Sequence, residues 1–322
     1  MSEIRGVREG KADAIHDARV GMRRLRELLP LVLNDDRLQE TRRQLRRAGR
    51  MLGQARELDV SLELLARAVQ LAPEALAKKE LASSASAALE AMRDDFERDR
   101  GASLRDLVKT LEQVDLRAAA NGRSRGPRRW RRVLARQLAT RAGRVRAAVD
   151  HAAGIPFPNR LHRVRVEVKK LRYSLELCRD LGRWNAPAAI KNLKRAQDLL
   201  GEIHDWQVFE DRLALRVQQA SADEAVALGT VTRGVAREIR RLHRQYVEMR
   251  GSIFEAARSA ERAARVAALP VPVGRVGAPG LIAAPVLAIG AATLLARPAR
   301  RMMRRAGSSV RTPAAKELSS AG

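Results

Sequence analysis

A chain of 322 residues is long enough to bury one or two cores, and its single cysteine, Cys178, excludes an internal disulfide and any cysteine-based zinc cage. Ala, Leu, Arg and Glu dominate while aromatic residues make up only 3%, which favours helix over strand and counts against binding single-stranded nucleic acid by stacking. With 63 Lys plus Arg against 37 Asp plus Glu the formal charge is +26, a field that attracts polyanions without choosing among nucleic acid, anionic lipid and polyphosphate.

At the N-terminus, residues 1–26 are charged throughout and lack the apolar core of a secretory signal, so a cytoplasmic protein is expected. Apolar residues at three- and four-residue spacing predict helices over 11–33, 37–70, 74–115, 127–150, 159–181, 186–219 and 222–267. Pro73, the stretch 121–127 and the stretch 154–159 punctuate them, with Asn159 the expected cap of the helix that follows. The expected organisation is one all-α domain over 1–267, with halves of about 8–115 and 127–267, followed by an Ala/Pro/Gly-rich tail over 268–322. Within that tail the run 276–296 carries no charge and is long enough to span a bilayer, yet Pro279, Gly280, Pro285 and Gly290 interrupt it. Two readings stay open for the tail: a disordered, low-complexity segment, or an anchor to a membrane or hydrophobic granule, with the basic cluster 297–305 against anionic head groups or extending the polyanion site.

An internal repeat organises the rest. The pattern H-x-x-R-V-x-x-[RK]-[RK]-L-R begins at His16 and again at His162, 146 positions later. A second pair follows in the same order: 48–60, containing Leu52, Gly53, Arg56, Glu57 and Val60, matches 196–208, containing Leu200, Gly201, His204, Asp205 and Val208. Two motifs repeated in one order imply two related helical bundles about a pseudo-twofold axis, with the surfaces of equivalent helices adjoining. At about 100° per residue, His16, Arg19, Arg23 and Arg26 fall at about 0°, 300°, 340° and 280°, one narrow stripe. His162, Arg165, Lys169 and Arg172 repeat it, and Arg24 and Lys170 lie about 80° to one side. No glutamate is expected to neutralise the stripe at helical spacing, which separates it from an ordinary solvated face.

These motifs resemble those of the CHAD domain, the conserved-histidine α-helical family, over roughly residues 8–260. The resemblance rests on the repeated basic motif, whose second copy ends Lys169-Lys170-Leu171-Arg172-Tyr173, and on the Leu200-Gly201-x-x-His204-Asp205 segment. It implies two antiparallel helical bundles with a basic central surface that binds inorganic polyphosphate. The chain departs from the pattern in two places. About fifteen residues precede His16, so the helix that would mirror 127–150 is expected to be short or absent, and Arg56 stands where the second half has His204.

Polyphosphate is charged along its whole length and carries no bases, so a receptor for it needs rows of forked guanidinium groups and ammonium point charges with little aromatic surface. The candidate contacts are therefore His16, Arg19, Arg23, Arg24, Arg26, Arg56, His162, Arg165, Lys169, Lys170, Arg172 and His204. Glu57, Asp59 and Asp205 are expected to orient arginines across the bundle. No glycine-rich phosphate loop and no nucleophile elbow is visible, so binding without turnover is expected. His204 and Asp205 with a motif histidine form a minor metal-site alternative, but the usual helical ligand spacing is missing; neither a metal nor another cofactor is expected. The competing function is that of a nucleoid- or storage-granule-associated basic protein whose partner is DNA or another protein.

Overall fold

The computed structural model describes residues 6–7, 9–32, 37–71, 79–112, 127–153 and 158–269. They form an all-α fold whose seven long helices are α1 (Ala12–Val32), α2 (Arg37–Gln70), α3 (Lys79–Glu112), α4 (Pro127–His151), α5 (Pro158–Asp180), α6 (Pro187–Gln219) and α7 (Ala222–Ala268). The apolar run 276–296 and the basic cluster 297–305 lie outside the described residues, as does the break at Pro73. Among the described residues no helix is long and apolar enough to cross a membrane.

The helix ends follow local chemistry. Gly182, in the left-handed region at φ 63°, stops α5: its N–H donates to the Arg179 carbonyl, and the Arg183 N–H reaches back to Cys178. Pro187 then starts α6, where its missing N–H costs nothing. Ser221 opens α7 in a reciprocal capping box with Glu224. Asn159 is not the cap expected of it, because α5 begins at Pro158 and Asn159 lies in the first turn. Proline's fixed φ is preorganised for that first position.

The apolar spacing that predicted each helix is the face it buries. Ile15, Ala18, Met22, Leu25 and Leu29 of α1 are buried, and Leu161, Val164, Val168, Leu171 and Leu175 form the corresponding row on α5. Helices α4 to α7 close a four-helix bundle in which α4 and α6 each pack on both α5 and α7. In the first half α1 packs on α2 and α2 on α3, and equivalent helices adjoin: α1 touches α5, and α2 touches α6. The described residues ahead of α1 add only a short turn, in which Val7 is buried and the Gly10 carbonyl accepts from Arg100 Nη2 of α3 at 2.6 Å. Arg100 also holds Asp59 of α2 at 2.5 Å.

Two apolar clusters result. The smaller joins Ile15, Met22 and Leu25 of α1 to Leu45, Ala48 and Leu52 of α2 and Leu107 of α3. The larger fills the second bundle and runs across the repeat boundary to Leu64 and Leu65 of α2 and Met92 and Phe96 of α3. Helix α7 makes that junction at close range. A Cβ built on its Gly234 would stand 2.6 Å from the backbone oxygen of Leu71. Gly234→Ala is expected to lower stability by about 1–3 kcal/mol through overpacking against main chain, read as a fall in the urea midpoint. Gly251→Ala on the same helix, where a Cβ meets nothing within 4 Å, is expected to be neutral or stabilising.

Candidate functional site: a basic groove between the repeated helices

Because α1 and α5 lie side by side, their basic stripes converge. Arg19 and Arg23 come from α1, Arg165 and Lys169 from α5, and the four lie close enough to perturb one another. Burial, then the charges of Arg23, Arg165, Arg19 and Arg26, push Lys169 down to about 7. Burial, followed by Arg23 and Arg165, lowers Arg19 to about 10. Among the described residues neither Arg19 nor Lys169 has a carboxylate within ion-pair distance. Arg23 Nη1 donates to the Tyr173 hydroxyl at 2.9 Å rather than to an acid.

Helices α2 and α6 supply the walls. Asp205 stands 3.9 Å from Arg165 and opposes Arg19 and Arg56 as well. Its own pKa is raised, because burial outweighs those three cations. The ring of His204 lies 5.0 Å from that of His162, centroid to centroid. Burial and the surrounding cations hold His204 down to about 4, and burial with Arg165 and Lys169 lowers His162. Both imidazoles are neutral at physiological pH and offer hydrogen bonds rather than charge. Gly201 of α6 lies beside this cluster: a Cβ there would stand in van der Waals contact with the Arg165 guanidinium at 3.9 Å.

The predicted contacts divide into two groups. Arg19, Arg23, Arg56, Arg165, Lys169, His162 and His204 are drawn together, and Arg26 extends the line. His16 and Arg24 are exposed on α1. Lys170 turns to Glu167, 2.7 Å away. Arg172 is taken up inside the protein: it pairs with Glu176, donates to Gln197 at 3.1 Å and lies over the Tyr173 ring at 4.3 Å. The expectation of a stripe free of neutralising glutamates thus fails at its second-half end, where Glu176 sits one turn beyond Arg172.

The acids expected to orient arginines each face one from another helix: Asp59 faces Arg100, Glu57 faces Arg212 at 3.5 Å, and Asp205 faces Arg165. Among the described residues no three of the His, Cys, Asp and Glu side chains gather as a metal ligand set. Sequence reasoning passed over Tyr173 as a site residue, although it directly follows the second motif. It also passed over Arg42 and Arg46 of α2, whose charges reach Arg26. The signal for the last two was present, since they share a helical face with Gly49, Gly53 and Arg56.

A family model described as the CHAD domain matches residues 2–214. Among solved structures, the chain is similar to the CHAD domain from the plant Ricinus communis, with a TM-score of 0.52 and 21% identity over 82% of this chain and 87% of that one. It is similar also to PptA from Streptomyces chartreusis, with a TM-score of 0.53 and 18% identity over 82% of this chain and 95% of that one. At these identities the likeness is one of fold. No curated protein matches the chain.

The electrostatics of the groove carry a stability signature. Because the folded pKa of Lys169 lies below its ordinary value, the cost of charging it is fully present below about pH 7 and is relieved as pH rises towards the ordinary lysine range. Lys169→Met is therefore expected to stabilise the fold by about 1–3 kcal/mol near pH 6. The gain should shrink as denaturation is repeated at higher pH. A destabilised variant, or a gain independent of pH, would show that the ammonium is not strained in the free protein.

Proposed function

The chain belongs to the CHAD domain family, and from that premise we propose that it binds inorganic polyphosphate in the groove between α1 and α5 and holds it without cleaving it. The observation that carries this reading is the set of four cations, Arg19, Arg23, Arg165 and Lys169, gathered where two carboxylates act on them, Asp205 at 3.9 Å from Arg165 and Glu57. Such a cluster is costly to hold in the free protein, and an incoming polyanion relieves the cost. Guanidinium forks bind phosphate oxygens in pairs, the ammonium adds a point charge, and the two neutral imidazoles offer further N–H donors.

A thin, unbranched ligand suits the site. Arg19 feels charges from α1, α2, α5 and α6 together, from Arg23, Arg56, Arg165 and Asp205, so a ligand there meets side chains of four helices. Tyr173 beside the site is buried, covered by Arg172 and bonded by Arg23, which leaves its ring no free face for a base. The acids at hand, Asp205 and Glu57, stand against arginines and serve to hold them. In the cytoplasm such a domain would place its chain on polyphosphate granules.

The test is a competition titration of the purified chain with long-chain polyphosphate against single- and double-stranded DNA at physiological salt. Polyphosphate should displace both nucleic acids, and the variant with Arg19, Arg23, Arg165 and Lys169 changed to Ala should lose about 100-fold or more in polyphosphate affinity. Equal competition by DNA, or a variant that binds like the parent, would make the reading wrong. The pH dependence is a separate check. A bound polyanion favours the ammonium form of Lys169, so binding takes up a proton. Affinity should therefore rise as pH falls through 7, by at most about tenfold per pH unit. Lys169→Arg, which stays charged, should flatten that dependence.

A further inference from the structure

The two ends of the groove are built from equivalent residues that have diverged. At the second-half end, Arg172 is closed off by Glu176, one turn further along α5, and by Gln197 of α6. The first-half counterparts of these residues are Arg26, Pro30 and Gly49. Pro30 has no carboxylate to offer. Gly49 has no side chain at all, and a Cβ placed there would lie 3.9 Å from Arg26 Nη1. Glu27, the acid beside Arg26, is held by Arg141 at 2.5 Å and by Gln137 at 3.2 Å, which ties α1 to α4. Arg26 is exposed and, among the described residues, has no carboxylate within ion-pair distance.

The same divergence runs along the adjoining helix. At about 100° per residue, Arg42, Arg46, Gly49, Gly53 and Arg56 of α2 fall within about 80° of one another, a single face about 21 Å long. Arg46 is exposed and Arg42 half-buried, and both act on Arg26, whose pKa is lowered by burial first and then, against Glu27, by Arg46, Arg23 and Arg42. On α6 the equivalent of Arg42 is Ile190, packed partly buried against the core, and the equivalent of Arg50 is Asp198. Of the positions equivalent to Arg42, Arg46 and Arg50, Lys194 is the one that keeps its charge.

We propose that the anion track is one-ended: a linear phosphate chain seated in the groove leaves it past Arg26 and along α2, where Arg42 and Arg46 form a second subsite for its next phosphates, while the Arg172 end is shut. This inference rests on the polyphosphate reading and extends it to how chain length is sensed. A short oligophosphate fills the groove alone, whereas a long one gains the α2 contacts as well. Gly49 and Gly53 leave the path between the two open.

The experiment compares tripolyphosphate with long-chain polyphosphate by calorimetry on the full chain, for the parent, for Arg42→Ala/Arg46→Ala and for Lys194→Ala. The double variant should lower the long-to-short affinity ratio by about fivefold to tenfold and make the salt dependence of long-chain binding shallower by about two counterions. Lys194→Ala should leave the ratio where it was. A double variant with the parental ratio, or a Lys194→Ala variant with an equal loss, would overturn the one-ended track while leaving the groove intact. If the parent binds neither phosphate, the polyphosphate reading itself fails and the subsite with it. Arg42→Lys/Arg46→Lys, which keeps the charge, should restore most of the ratio; if it does not, charge on α2 is not what the longer chain gains.

Discussion

Mutual repulsion among half-buried cations is what the rest of this molecule has to withstand. Lys169 lies among the charges of Arg23, Arg165, Arg19 and Arg26. The rows and the stripes are carried by the same two helices. Burying Ile15, Met22 and Leu25 on one helix and Val164, Val168 and Leu171 on the other therefore fixes the cations face to face. Hydrophobic burial, which is non-directional and large, sets the geometry that an unfavourable electrostatic term must then accept.

A further set of contacts joins α2 to α6. Arg67 of α2 reaches Glu202 of α6 at 2.8 Å and lies over the Trp206 ring at 5.2 Å. In the reverse direction Arg212 of α6 reaches Glu57 of α2 and lies over the Phe96 ring of α3 at 4.8 Å. Each arginine couples a charge pair to an aromatic face, so the two walls are joined twice by the same device. Single exposed pairs contribute little. Set beside a shared apolar core that crosses from α2 and α3 into the second bundle, they serve mainly to hold α2 and α6 in register.

Duplication explains the shape of the groove, and divergence explains its direction. The positions equivalent to Glu176 and Gln197 are Pro30 and Gly49, so one arginine is locked into the protein and its counterpart faces solvent. The leading helix has diverged as well. In the second half α4 packs on both α5 and α7, whereas the described residues before α1 form a turn anchored by Val7 and Arg100.

The seven helices, their ends to within a few residues, the repeat and the two basic stripes were all legible in the sequence, because each is a local property: apolar spacing at helical period, proline and glycine at breaks, and residue type at a fixed offset. The start of α5 at Pro158 rather than after Asn159 was a matter of one position. Which cations face one another across helices was decided only by the tertiary structure. Glu167 and Glu176 stand three and four residues from Lys170 and Arg172 on α5 itself, so those pairs were open to sequence reasoning, whereas the closure of Gln197 of α6 over Arg172 was not. Arg42 and Arg46 read as ordinary surface until packing set α2 against Arg26. The physical reason is that a charge's fate depends on what faces it across a helix interface, and that is set by how whole helices pack, which no spacing along one helix specifies.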